Sequence, residues 1–225
     1  MQGVPFNALD FQRAIDITDE TLNLYKHWFA LLTRWNSRIN LVASSTLRDF
    51  WFRHAMDSHQ IHACLPPGTK TIIDLGAGAG FPGIALAVMM RDTPGAQITL
   101  VESNGKKCNF LRTVIRELSL PAEVIQRRAE DLTHQPYDVV TARAFAPLPR
   151  LLSYAHQFWN GTTVGVFPKG ESWESEIEDA LVAWEFKNKT QPSQTDENAR
   201  ILMVTKLRPK KKQDHGGQSI DQKSA

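Results

Sequence analysis

The sequence predicts an α/β fold, a mostly parallel sheet with helices on both faces. Three observations carry that expectation. From residue 71 onward, strand-like runs alternate with helix-like runs, and such alternation implies parallel pairing through crossover helices. A glycine turn joins the first strand to its helix, and an acidic residue closes the second strand.

Residues 71–75, Thr-Ile-Ile-Asp-Leu, form the short β-branched run of a buried parallel strand. Gly76, Gly78 and Gly80 then alternate with Ala77 and Ala79 before Phe81-Pro82-Gly83. Small residues let backbone approach a ligand and permit positive φ, while Pro82 presets φ for the first turn of a helix over residues 84–90. Ligands of open α/β sheets sit outside the carboxyl ends of the strands. Asp74, Gly76 and Gly78 are therefore candidate cofactor-binding residues. The dinucleotide fingerprint needs glycine where Phe81 stands, and its third glycine and helix start serve a pyrophosphate. The loop therefore suits a nucleoside cofactor without phosphates, for which S-adenosylmethionine is the candidate. Glu102 ends the next strand, residues 97–101, and lies 22 residues beyond Gly80, where an acid can accept both ribose hydroxyls.

A chain of 225 residues with 42% hydrophobic content holds one full α/β domain and a small appendage. No apolar run approaches 18 residues and no charged start leads into an apolar segment, so neither a membrane span nor a leader is visible. A cytoplasmic location is expected. The two cysteines, Cys64 and Cys108, lie 44 residues apart without clustered histidines, so buried thiols are expected rather than a metal site or a disulfide framework. The formal charge of +2 hides a basic end: residues 206–225 carry six Lys/Arg against two Asp.

Before the first strand, residues 6–15 suggest a short helix. Thr18 is the N-cap of a second, with Leu22, Tyr25, Phe29, Leu32, Trp35 and Ile39 on one face. A third begins at Ser45 or Thr46, with Thr46 and Asp49 in a capping-box pattern, and runs to Leu65 before Pro66-Pro67-Gly68. Residues 1–66 thus form a helical layer on a core of residues 67–208, and residues 209–225 form a flexible basic tail. On the third helix Arg53, His54, Asp57 and Ser58 are neighbours. A catalytic triad is disfavoured there, because triad members come from separate elements. The alternatives are an Arg53–Asp57 ion pair beside a half-buried His54, or polar groups facing the cofactor cleft.

After Glu102 come a helix at residues 104–118, strands at 123–126, 137–141 and 163–167, a helix over 173–184, and a terminal hairpin of strands near 185–189 and 201–207. Arg128, Glu130 and Arg143 follow strand ends on the edge that carries the glycine loop. Arg127 there reads as a surface ion pair, whereas Arg143, flanked by small residues in Ala-Arg-Ala-Phe-Ala-Pro, is free to reach into the cleft. Lys169-Gly170 repeats the arrangement, so Arg128, Arg143 and Lys169 make the cleft mouth basic. A basic mouth favours a phosphate-bearing substrate such as nucleic acid.

These motifs taken together are similar to those of the ribosomal small-subunit methyltransferase G family, formerly called glucose-inhibited division protein B. The resemblance spans nearly all of residues 20–207 and rests on Trp35-Asn36 with Asn40-Leu41, Arg53-His54 with Asp57-Ser58, Asp74 through Gly83, Glu102-Ser103 with Lys106-Lys107, Arg128 to Glu130, Arg143-Ala144-Phe145 and Lys169-Gly170. Departures are Ala79, where proline is frequent, Phe81, where leucine is frequent, and the lysine-rich end.

The resemblance implies a Rossmann-like class I S-adenosylmethionine-dependent methyltransferase fold with an antiparallel last strand. It implies cofactor contacts from Gly76, Phe81, Ala129, Glu130 and Arg143, with Glu102 on the ribose, and substrate RNA contacts from Arg128 and Lys169. The implied reaction is methylation of a guanine N7 in 16S rRNA; that atom carries a lone pair and no proton, so no general base is assigned, and a monomer is expected. A nicotinamide-dependent oxidoreductase, which Phe81 weakens, and a non-catalytic RNA-binding protein are the rival readings.

Overall fold

The structure, a computed structural model, describes residues 6–211. The lysine-rich end expected to be a flexible tail therefore lies mostly outside the described residues. Helix α1 (Ala8–Ile15) starts at Asn7, whose side chain accepts from Leu9 N and Asp10 N while Asp10 accepts from Asn7 N, a reciprocal cap. Helix α2 (Asp19–Asn36) starts at Thr18, whose hydroxyl accepts from Thr21 N at 3.2 Å. Its fully buried residues include Trp28 and Leu31, while Phe29 and Trp35 are only partly buried. Leu22, Tyr25 and Leu32 of the expected face are buried, and Trp28 and Leu31 widen it, with Trp28 and Phe29 both packing on Phe50.

The expected capping box at Thr46 does not form. The short helix α3 (Ser44–Leu47) already contains Thr46, whose hydroxyl donates to Ala43 O at 2.9 Å instead of accepting. A π-helical stretch, Phe50–Met56, then runs into α4 (Asp57–Ala63). A π turn changes the residue period locally and is frequent at functional sites, so the single amphipathic stripe expected for residues 46–65 is broken in the middle.

The core alternates β1 (Thr71–Leu75), α5 (Gly83–Met89), β2 (Gln97–Val101), α6 (Gly105–Leu118), β3 (Ala122–Ile125), β4 (Val139–Thr141), α7 (Leu148–Ala155), β5 (Val164–Lys169) and α8 (Trp173–Ala183), and ends in the hairpin β6 (Trp184–Pro192) and β7 (Arg200–Pro209). Sheet order is β3-β2-β1-β4-β5-β7-β6. Strands β1 to β5 pair in parallel, and β7 runs antiparallel to both β5 and β6. This is the expected mostly parallel sheet with an antiparallel last strand.

Alternation along each strand feeds two apolar layers. Ile72, Ile98, Val139, Val166 and Ile201 pack with the N-terminal helices, α5 and α6. Ile73, Val140, Phe167, Leu202 and Val204 pack on the other face with Leu148, Leu151 and Leu152 of α7. Helix α7 is absent from the sequence reading, and its segment holds two prolines, Pro147 and Pro149. Proline is compatible with the first helical turn, whose N–H groups have no intrahelical acceptor, and Pro149 occupies that turn. Because the chain adds β2 and β3 on one side of β1 and returns to add β4 on the other, the carboxyl ends of β1 and β4 diverge at a topological switch point.

Candidate active site

The glycine loop lies at that switch point. Gly76, Gly78 and Gly80 have φ of +72, +55 and +96°. Gly76 N and Ala77 N both donate to Val101 O at 2.9 Å. Glu102, 8% exposed, accepts from Gly78 N at 3.1 Å with one oxygen and from Asn104 N at 2.8 Å with the other. The carboxylate thus fastens the loop to the end of β2. A Cβ at Gly83 would lie 2.6 Å from Asp74 Oδ2, so glycine is needed there for α5 to start against β1.

Asp74 itself is fully buried. Its Oδ2 accepts from Gly83 N at 2.9 Å, and its Oδ1 has no partner. Burial pushes its pKa up to about 7, with nearby Glu102 adding to the rise and the Gly83 N–H and Arg143 opposing it.

Beside the loop is a cavity of about 380 Å³ lined by Gly76, Val101, Glu102, Ser103, residues 127–130 and the segment 144–147. A Cβ on Gly76 would overlap the Phe145 ring, which stands over the loop and packs edge-on against Tyr154 with centroids 5.6 Å apart. A second cavity, about 980 Å³, shares residues 144–147 with the first and is lined by Arg53, His54, Asp57, Arg143, Lys169 and Arg200 among others.

Arg143 is gripped rather than free. Its Nη1 donates to Asp57 Oδ2 at 3.0 Å and to Arg53 O at 3.4 Å, and its guanidinium carbon lies 4.7 Å from the centroid of the Phe81 ring. Its Nη2 is 3.2 Å from His54 Nδ1. Guanidinium has no acceptor, so Nδ1 accepts and the imidazole proton sits on Nε2, which is buried without a partner. His54 stays neutral: burial first, then Arg143 and Arg53, lower its pKa to about 4. Its ring stacks on Phe81 with centroids 4.6 Å apart at 18°, and Trp28 packs against Phe81 at 4.7 Å. Of the two sequence alternatives for this cluster, the Arg53–Asp57 ion pair does not form, because Asp57 pairs with Arg143; Arg53, His54 and Asp57 line the larger cavity instead.

Lys169 lines the larger cavity, but its ammonium is 2.7 Å from Glu176 Oε2 and 3.2 Å from Ala146 O. Glu176 also accepts from Leu148 N at 2.7 Å and from Ser172 at 3.1 Å, and the Lys169 pairing leads the contacts that keep its pKa low against the cost of burial. Arg128 and Glu130 are exposed at the smaller cavity, whereas Ala129 is buried there and its carbonyl accepts from Gln157 at 2.8 Å. Arg127 also lines it, without the surface ion pair expected for it among the described residues. Cys108 is buried as expected, and Cys64 is only half-buried. Among the described residues no group of His, Cys, Asp and Glu is arranged to hold a metal ion, and no helix is long and apolar enough to cross a membrane.

Residues 21–202 match the family described as rRNA small subunit methyltransferase G. The chain belongs to that family. Among curated members of the methyltransferase G family, the Ribosomal RNA small subunit methyltransferase G of Rhodospirillum centenum is 42% identical over 91% of this chain and 93% of its own length. The protein of the same name from Caulobacter vibrioides is 40% identical over 89% and 92%. Among solved structures, an O-methyltransferase from Bacillus cereus in complex with SAH is similar at a TM-score of 0.57 with 16% identity, over 89% of this chain and 98% of that one. An S-adenosylmethionine-dependent methyltransferase from Aquifex aeolicus gives a TM-score of 0.54 with 14% identity, over 77% and 96%. The fold is that of the class I methyltransferases.

For this methyltransferase G chain the expected residues divide between the two cavities. Gly76, Glu102, Ala129, Glu130 and Arg128 gather around the smaller, and Arg143 and Lys169 face the larger, while Asp74, Gly78 and Phe81 support the loop without lining either. Sequence reasoning missed Gln60, Thr195 and Phe145. Thr195 lies far along the chain from Asp57, and no short-range pattern connects them. Phe145 was quoted only as part of a motif, although its aromatic ring beside small residues was a usable signal.

Proposed function

We propose that this chain transfers a methyl group from S-adenosylmethionine to N7 of a guanine in 16S rRNA. The observation that carries the reading is the membership of residues 21–202 in the methyltransferase G family together with the Glu102-fastened glycine loop at the switch point. The residues fit the cofactor. Gly76 presents backbone without a side chain beside a cavity of nucleoside size, and a carboxylate stands at the end of β2. In this reading Gly76, Gly78, Phe81, Glu102, Ala129, Glu130, Arg143 and Asp74 form the cofactor site, and Arg128 and Lys169 serve the RNA.

When bound, S-adenosylmethionine supplies an activated methyl group on a sulfonium. The protein's task is alignment of donor carbon with acceptor nitrogen, and such positioning is worth about 7–11 kcal/mol of barrier. Guanine N7 carries a lone pair and no proton, so no side chain has to remove one. His54 is unsuited to that work in any case, since its Nδ1 lone pair is taken by Arg143 and its Nε2 is buried. The larger cavity, which shares residues 144–147 with the smaller, brings Arg53 and Arg200 to hand for phosphates flanking the acceptor base. The substrate in this reading is the small ribosomal subunit or one of its assembly intermediates, met by a monomer in the cytoplasm.

Transfer of a radiolabelled methyl group to small ribosomal subunits, followed by nucleoside identification, tests the reading. Label in 7-methylguanosine is expected. Label in another nucleoside would displace the acceptor atom, and S-adenosylmethionine binding without transfer would favour a non-catalytic binder.

A further inference from the structure

The turn between β6 and β7 reaches across the larger cavity to helix α4. Gln60 is almost completely buried and spends both ends of its amide on this junction: its oxygen accepts from Gln194 N at 3.0 Å, and its nitrogen donates to Asp57 Oδ1 at 2.9 Å and to Ser193 at 3.2 Å. Thr195 donates its hydroxyl to the same Asp57 Oδ1 at 2.8 Å. Asp57 Oδ2, the other oxygen, is the one that holds Arg143. One carboxylate therefore has one oxygen fixed by the C-terminal hairpin and the other fixing the guanidinium against Phe81.

We propose that Asp57 is a positioning residue, oriented by Thr195 and Gln60, that sets the place of Arg143 at the edge of the larger cavity, beside the segment 144–147 that both cavities share. Three physical points support it. The pair is mostly buried, with side chains 19% and 20% exposed, and hydrogen-bonded charges withdrawn from water are more sharply localised than surface pairs. A carboxylate with free rotation about χ2 would offer Arg143 a moving acceptor, and two donors on Oδ1 remove that freedom. Arg143 follows the end of β4 by two residues and is succeeded by Ala144, a non-glycine residue at φ +51°, so the backbone beside it is held in a fixed course and its long side chain needs a fixed partner at the far end. Asp57 touches Arg143 and no reacting atom, and its effect is exerted through that arginine.

This proposal rests on the methyltransferase reading, and the wild-type transfer assay tests that reading separately. With wild type active, kcat and KM for cofactor and RNA are to be measured for Asp57→Ala, Arg143→Ala and the double variant. The singles are expected to fall by about tenfold or more in the same parameter, and the double to be no worse than the poorer single, as for residues acting as one unit. Thr195→Val should lose about threefold in that parameter while Thr195→Ser, which keeps the hydroxyl, stays near wild type. Effects of Asp57→Ala and Arg143→Ala that multiply, or that appear in different parameters, would overturn the proposal. So would equal behaviour of Thr195→Val and Thr195→Ser. If Asp57→Ala fails to fold, judged by its thermal melt, the threonine pair alone decides the matter.

Discussion

The two cavities share the wall of residues 144–147 yet are built in opposite ways. The smaller is framed by a glycine turn and by residues at neighbouring strand ends: Gly76 beside β1, Glu102 after β2, and residues 127–130 after β3. The larger is framed by side chains from the π-helical stretch, α4, the end of β5 and the β6–β7 turn, held by ion pairs such as Arg143–Asp57 and Lys169–Glu176. A backbone cradle is insensitive to most side-chain changes and fails abruptly when a glycine is replaced. A cavity made of paired side chains degrades in steps, and each step should appear in stability as well as in function.

The most severe break in the comparison is Gly76→Arg. Its side chain would start where the Phe145 ring stands and fill the smaller cavity, so S-adenosylmethionine binding should vanish by calorimetry. The strained φ of +72° adds about 1–3 kcal/mol, a fall of a few degrees in melting temperature, with the fold intact. Unchanged affinity would remove this cavity as the cofactor site.

Lys169→Met should behave in the other way. The change deletes one half of a nearly buried ion pair while Glu176 keeps Leu148 N and Ser172, so a loss of about 1–3 kcal/mol is expected in denaturant unfolding, along with weaker RNA binding. Loss of RNA affinity at full stability would show that the lysine leaves Glu176 to meet the RNA.

A third effect lies in pH, where the two sides of the loop oppose each other. Asp74 binds its proton more tightly when folded, so its contribution to stability is full at low pH and falls as pH rises from about 4 to about 7. His54 binds its proton less tightly when folded. Its contribution is present above about 6.5 and is lost as pH falls toward about 4, and His59, also lowered to about 4, acts with the same sign. The slopes partly cancel in the wild type. Asp74→Asn should leave only the histidine limb, with stability climbing more steeply between pH 4.5 and about 6.5 by on the order of 1 kcal/mol or more, as read from urea midpoints. A profile parallel to wild type would mean that Asp74 remains ionised when folded. Single-turnover methyl transfer should be nearly flat from about pH 6 upward, and His54→Gln should cost stability more than rate. A tenfold rise per pH unit that disappears in His54→Gln would reveal a base.

The smallest effect is expected at the basic end. Replacing Lys210, Lys211 and Lys212 by glutamine should leave turnover at saturating RNA unchanged and reduce the log–log salt slope of RNA binding by about 2. A loss of turnover would place these lysines in the site.

Much of the smaller cavity was legible because its parts are local. The glycine spacing, the strand before it and Glu102 at the end of the next strand are all short-range facts of the chain, and parallel pairing of β1 with β2 brings them together. Phe81 was read for what it excludes, a pyrophosphate, and through the resemblance as a cofactor contact, whereas in the fold it is the anchor on which Trp28, His54 and Arg143 converge. The larger cavity was barely legible. Its basic residues were named, but their partners, Asp57 and Glu176, come from elements whose docking no periodicity specifies.

The sequence by itself determined the order of the strands, the loop that needs positive φ, and the acid at the second strand's end, because backbone conformation and hydrophobic period are properties of neighbouring residues. Tertiary structure alone decided which charges are free and which are held. Arg143 and Lys169 read as open cations in the chain and become paired ones in the fold, because an ion pair between residues far apart in sequence forms only when packing brings the partners within reach and excludes the water that would otherwise screen them.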